Sequence, residues 1–277
     1  MRVQHKNAAS GARRSFWILF AAMNAVSVPA ASGQPFGVAH GTSVVVLRSP
    51  DLLWAAVDSK IIYVEYPGDG SRKVTETTAC KIQKVGDYYA VLANLVSGTN
   101  GFDLRKSLAE LGRPGEPLAQ LVRRTADTIP PLLVPVLRSL KNADPEVYAQ
   151  QYDNAAATEI AFLGIVKNRP EATIIQFIAT QNDGVVSVRA GILPHQDRRK
   201  AYGYAMGAID RIAEALKAYP PPFQHPSQAE AERLIRLEYA DRPDVVGGPI
   251  NFIEATRFLT TEVRSGACQT AGGAGPP

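Results

Sequence analysis

The residues of this chain best placed to do chemistry are a threonine and an aspartate at the two polar ends of one apolar hairpin. The stretch runs His40-Gly41-Thr42-Ser43 and then VVVLRSPDLLWAAVD, closing on Asp58. Val44 to Leu47 is an uncharged, β-branched run, and Leu52 to Val57 is a second apolar run. Ser49-Pro50-Asp51 between them has the composition of a tight turn, so two antiparallel strands are predicted. In an antiparallel pair the first residue of one strand lies beside the last residue of the next. Thr42 and Asp58 are therefore expected together at the open end. A threonine hydroxyl is a poor nucleophile until a neighbouring base takes its proton, and a carboxylate beside it can hold and orient a cation that helps.

The elements that must position these two residues follow in order. Ile61 to Tyr66 is strand-like, and Pro67-Gly68-Asp69-Gly70-Ser71 is a dense turn cluster. Ala79 to Val85 alternates with period two, Gly86-Asp87 turns, and Tyr88 to Val96 reads as a buried strand, which predicts a second hairpin. A helix is expected over Phe102 to Leu111. A further amphipathic helix runs from Pro117 to Ile129, is interrupted at Pro130-Pro131, and is followed by another from Leu132 to Tyr152. Glu159–Val166, Thr173–Thr180 and Val185–Ile192 read as an antiparallel meander. Tyr202 to Tyr219 is expected to be helical, with Ala205, Ile209, Ile212 and Leu216 on one face. Pro220-Pro221-Pro222 reads as a rigid linker, and Ser227 to Tyr239 as a helix with a capping box at Ser227 and Glu230. Asp244 to Ala255 ends that helix and starts a last strand.

The start of the chain has the three parts of a secretory signal. Arg2, Lys6, Arg13 and Arg14 come with no acid, Ser15 to Val28 is apolar, and Pro29-Ala30-Ala31-Ser32-Gly33 is small. The apolar run is short for a membrane span. Cleavage after Ala30 or Gly33 fits, and Arg13-Arg14-Ser15-Phe16 resembles a twin-arginine export pattern. Export to the periplasm or outside, by Sec or twin-arginine signal, is thus expected for residues 1–33. Residues 34–41 have no periodicity and are either a disordered lead-in or a removable propeptide. Residues 42–264 form the expected domain, and the Gly/Ala/Pro-rich tail 265–277 is expected to be disordered.

Composition excludes several classes. The net charge of +4 over 277 residues lies partly in the signal, so no nucleic-acid partner is indicated. After signal removal no stable membrane span is expected. Cys80 and Cys268 are too few for a disulfide scaffold, though an exported chain could pair them. His5, His40, His195 and His225 show no metal-ligand spacing, and no metal or cofactor is expected.

GTSVVVLRSPDLLWAAVDSK, followed by CKIQKVGDYYAVLANLV, resembles the N-terminal half of proteasome β-type subunits, members of the N-terminal-nucleophile (Ntn) hydrolases. The resemblance implies a divergent, exported, bacterial-type member. Its fold would be α+β, a four-layer αββα sandwich with two antiparallel sheets between helical layers. Thr42 would be the nucleophile exposed by autocleavage after Gly41, Asp58 the family's acid, and Lys81 the lysine beside the nucleophile. The general base in such enzymes is thought to be the new α-amino group, with an ordinary pKa of about 7.7–8.0. The substrate would be a peptide or amide. Such relatives form rings, so a homo-oligomer is within what the resemblance implies.

Three departures from the family pattern stand out. Leu95 replaces a glycine whose amide serves as an oxyanion donor in the family. Tyr202-Gly203-Tyr204-Ala205 stands where a Gly-Ser-rich stretch is expected. The Asp-x-x-Ser-Gly-Gly pattern is reduced to Asp244-Val245-Val246-Gly247-Gly248, leaving Asp244 a weak further candidate. The alternatives are a catalytically inactive binding or assembly relative, or a small-amide acylase on the same fold.

Overall fold

The stretch around Ser49–Asp51 folds as strand, turn and strand: β2 (Ser43–Arg48) and β3 (Leu52–Val57) pair antiparallel, with Val44 opposite Val57 and Arg48 opposite Leu53. The computed structural model describes residues 35–98, 101–193, 199–218, 220–263 and 268. The expected signal over 1–33 and the tail over 265–277, Cys268 apart, lie outside them. Among the described residues the architecture is mixed α/β, with three antiparallel sheets and few helices.

The first sheet has the order β13-β2-β3-β14-β15, where β13 is Tyr202–Gly207, β14 Asn251–Thr256 and β15 Thr260–Val263. Both of its faces are covered, so β2 and β3 read as unbroken apolar runs. Val44, Val46, Leu53, Ala55 and Val57 face inward onto Val91, Ala93, Ala161 and Leu163 of the second sheet. Val45, Leu47 and Ala56 face the other way, onto Ile212, Leu234 and Ile235 of the helices α4 (Asp210–Ala215) and α5 (Gln228–Asp241). Ser227 caps α5 by accepting the Glu230 N–H at 3.2 Å, while the Glu230 carboxylate turns to Arg233.

The second sheet has the order β12-β11-β10-β7-β6: Val185–Ile192, Pro170–Asn182, Ala156–Ile165, Tyr88–Asn94 and Ile82–Val85. This contains the expected hairpin and meander. Its outer face, through Leu92, Ile160, Phe162, Ile175 and Phe177, shares a core with α1 (Leu104–Leu111) and α2 (Leu118–Ala143). A short α3 (Pro145–Gln151) follows.

Two expectations from the sequence fail for local reasons. Pro130 and Pro131 do not interrupt α2, which continues through both and through Pro135. The prolines avoid the buried face, where Ile129, Leu133, Val136, Leu137 and Leu140 are sequestered. Each such side chain contributes about 1.5–3 kcal/mol on burial, against ~3 kcal/mol per interior proline. The helix expected over Tyr202–Tyr219 is instead the strand β13 and the short α4. Ladder pairing from Tyr202↔Arg48 to Gly207↔Ser43 gives β2 its outer neighbour. Glycines and aromatics are poor helix formers, and Gly203 leaves room for Leu216 and Phe223 against the strand.

The third sheet, β5-β4-β1-β8-β9, has no counterpart in the two-sheet expectation. Its central strand β1 is Phe36–His40, within the segment read as lead-in or propeptide. β1 pairs with β4 (Lys60–Tyr66) from Phe36↔Tyr66 to His40↔Ile62, and with β8 (Ser97–Gly98) on its other side. β5 (Lys73–Thr78) and β9 (Phe102–Asp103) complete it. Phe36, Val38 and Ala39 are buried in the same core as α2. The segment is thus an ordered central strand, and the folded unit begins before Thr42.

Candidate active site at the open end of the first hairpin

Thr42 and Ser43 lie where β1 hands the chain to β2. The register places Asp58 opposite Ser43, one residue beyond Thr42. Asp58 N–H donates to the Ser43 carbonyl at 3.3 Å, and Asp58 Oδ1 accepts the Ser43 N–H at 2.9 Å. The carboxylate therefore grips the peptide that follows Thr42 rather than the threonine hydroxyl.

Lys81 arrives from the second hairpin, just ahead of β6. Its side chain is 1 % exposed, and Nζ donates to the same Oδ1 of Asp58 at 3.0 Å. Oδ2 accepts the backbone N–H groups of Gly247 at 3.0 Å and Lys60 at 3.2 Å. Four donors on a carboxylate with no exposed surface are what a buried ion needs to offset lost hydration. Burial lowers the Lys81 pKa to about 8 despite the opposing pull of Asp58. His40, one residue before Gly41, is also lowered by burial, to about 4, with Arg72 and Lys81 adding to the effect. It is a neutral imidazole at pH 7.

Thr42 itself is fully buried, and its Oγ1 has no hydrogen-bond partner among the described residues. Buried hydroxyls are normally satisfied, and an orphan costs about 1–3 kcal/mol. The Thr42 carbonyl is held from the far side, where Ala208 N–H donates to it at 2.8 Å. Ser43 Oγ donates in turn to the Ala208 carbonyl.

The structure therefore brings Asp58 and Lys81 into direct contact and sets Thr42 and Gly41 beside them. It does not bring Asp244 there. That side chain is 66 % exposed and is bonded to Arg242 at 3.2 Å. The turn after it reaches the site through backbone instead, by the Gly247 N–H. Gly248 (φ +74) lies so close to Ser59 Oγ that a Cβ would sit 2.8 Å away. The Leu95 amide, placed by the resemblance at an oxyanion position, donates to the Ala157 carbonyl at 3.0 Å and is not free. The stretch that touches Thr42 is Gly207–Ala208, at the end of β13, rather than Tyr202–Ala205.

Two groups around the site went unread in the sequence. One is the set of backbone donors to Asp58, which no side-chain pattern reports. The other is Glu159, a 5 %-exposed acid inside the apolar strand β10, which accepts the Gly207 N–H at 2.9 Å. A lone acid in a run such as EIAFLGI was the available signal. Cys80, next to Lys81, forms a disulfide with Cys268.

No family model matches the chain, and no curated protein does either. Among solved structures, an Anbu mutant from Hyphomicrobium sp. strain MC1 is similar at 17% identity. The match covers 83% of this chain and 90% of that one, with a TM-score of 0.40. A score at that level carries no argument about this chain.

Proposed function

We propose that this chain is an exported, proteasome-like Ntn hydrolase that frees Thr42 by cleaving after Gly41 and then hydrolyses peptide or amide bonds. The observation that carries the reading is the buried Lys81–Asp58 ion pair, clamped through Oδ1 to the peptide of Thr42–Ser43. A buried cation of lowered pKa, tied through Asp58 to the peptide that follows an orphaned hydroxyl, is costly as mere structure and useful as chemistry. The order of the cores, from α4 and α5 through two sheets to α1 and α2, supports a four-layer αββα arrangement. The disulfide fits an oxidising compartment.

In the first step Thr42 Oγ1 attacks the Gly41 carbonyl carbon. Its proton passes to the departing Thr42 nitrogen, the peptide bond breaks and an ester forms. Water then hydrolyses the ester, leaving a Gly41 carboxylate and a free Thr42 amine. In substrate hydrolysis that amine takes the hydroxyl proton as general base. The Lys81 ammonium, fixed by Asp58, keeps the amine neutral and orients the hydroxyl. In the uncleaved chain Thr42 is sealed from solvent, so processing must precede turnover.

Intact-mass analysis of the purified exported protein, wild type beside Thr42→Ala, tests the reading. The wild type should yield a chain beginning at Thr42, and the variant should keep its leader. Identical uncleaved masses would overturn it. A second reading, a non-catalytic binding or assembly relative, is favoured by the occupied Leu95 amide and the central position of β1. It requires Thr42→Ala to change nothing. A panel of peptides beside acyl-amides separates a peptidase from an acylase.

A further inference from the structure

Glu159 lies in β10 opposite Ala93 of β7 and Gln176 of β11. Its row of β10 is the one that carries Ala161 and Leu163 into the apolar space between the two sheets. A carboxylate there is costly, and burial raises its pKa. Three neutral donors reach it: Gln176 Nε2 at 2.8 Å, Asn94 Nδ2 at 3.2 Å and Gly207 N at 2.9 Å. Gln176 also donates to Tyr204 Oη at 3.1 Å. Two of the three donors belong to neighbouring strands of the same sheet. The third crosses to the sheet of β2 and β13, at the strand that pairs with the one beginning just after Thr42.

Gly207 is the point of contact. It ends β13 opposite Ser43 with φ +82. A Cβ on it would fall 2.1 Å from the Thr42 carbonyl oxygen. No side chain fits, and the backbone lies directly on the threonine peptide. The next residue supplies the N–H that holds that carbonyl. We propose that Glu159 is a positioning residue for Thr42: by fixing the Gly207 N–H it seats the Gly207–Ala208 turn against the threonine carbonyl, opposite the grip of Asp58 on Ser43.

The inference rests on the hydrolase reading for its purpose but not for its test. Glu159→Gln keeps the shape but sets an NH2 group among three N–H donors. Two readouts are taken on the full chain. One is the time course of cleavage after Gly41 by intact mass. The other is amide exchange at Gly207 and Ala208 against Ile160 and Ile175 in the β10–β11 ladder. Cleavage should slow by about tenfold or more, the size of one lost hydrogen bond to a charged group. Exchange should rise at Gly207 and Ala208 alone. Unchanged exchange there, or an equal rise along the ladder, would reduce Glu159 to a tie between strands. If the wild type does not cleave, the hydrolase reading fails while exchange still decides the positioning role. Should Glu159→Gln not fold, Glu159→Asp replaces it: the shortened carboxylate withdraws from Gly207, and the same local rise is expected. A fast-exchanging Gly207 amide in the wild type would overturn the proposal outright.

Discussion

Two buried carboxylates flank the Thr42–Ser43 peptide, and they are built differently. Asp58 holds a lysine ammonium and three backbone N–H groups, all within 3.2 Å. Glu159 is met by one backbone N–H and two side-chain amides, all neutral. A carboxylate with a fixed cation is an electrostatic element, able to bias the charge of whatever is formed beside it. One surrounded by neutral donors can only hold geometry, at a desolvation cost it does not recover. The fixed charge thus lies on one side of the threonine and the neutral contacts on the other.

The comparison can be broken most directly by removing the cation. Lys81→Met leaves Asp58 buried without its counter-charge and should cost about 3–5 kcal/mol. Urea unfolding reads the loss, and mass analysis should show no cleavage after Gly41. A stability unchanged within ~1 kcal/mol would mean that the three backbone donors suffice. Next in size is the disulfide, which anchors the residue before Lys81. Replacing Cys80 and Cys268 by serine should cost about 2–4 kcal/mol. Amide exchange should rise around Lys81 and stay unchanged at Gly207; an equal rise on both sides would show that the two carboxylates are not independent.

The pH dependence of stability should carry opposite signs on the two sides. Lys81 is lowered from 10.5 to about 8, so between those values the folded chain binds fewer protons than the unfolded one. Its contribution to stability therefore rises with pH from about 8 to 10.5, and the penalty is complete below 8. Glu159 is raised, so its contribution falls as pH climbs from 4.5 through its folded value. Unfolding free energies measured across pH, in wild type and in each variant, should lose the alkaline slope in Lys81→Met and the acidic slope in Glu159→Gln. The smallest effect is on the stability of Glu159→Gln itself. The lost acceptor and the removed buried charge offset each other, and the change should stay within about 1 kcal/mol. A loss comparable to that of Lys81→Met would erase the distinction between the two sides.

The Asp58 side was legible because its parts are local. The β2–β3 turn and the apolar runs around it set Asp58 against the start of β2 within a short stretch of chain. Lys81 came into view only through a resemblance in the next hairpin; Asp244, the weak candidate, is exposed and paired with Arg242, and the amide of Leu95, a departure from the family pattern, is bonded to Ala157. The Glu159 side was illegible because its contact joins β10 to the end of β13. The spacing of Ala205, Ile209, Ile212 and Leu216 imitated a helix across a strand end and a short helix.

Alternation, turn residues and caps are short-range, and they determined the first hairpin, the meander from Ala156 to Ile192 and the start of α5. The tertiary structure decided what depends on pairing between distant strands. It set β1 between β4 and β8, placed Tyr202–Gly207 along β2 and brought Cys80 to Cys268. An unpaired buried strand leaves a row of unsatisfied N–H and C=O groups. Which distant segment satisfies them is a property of the assembled sheet, and no window of neighbouring residues contains it.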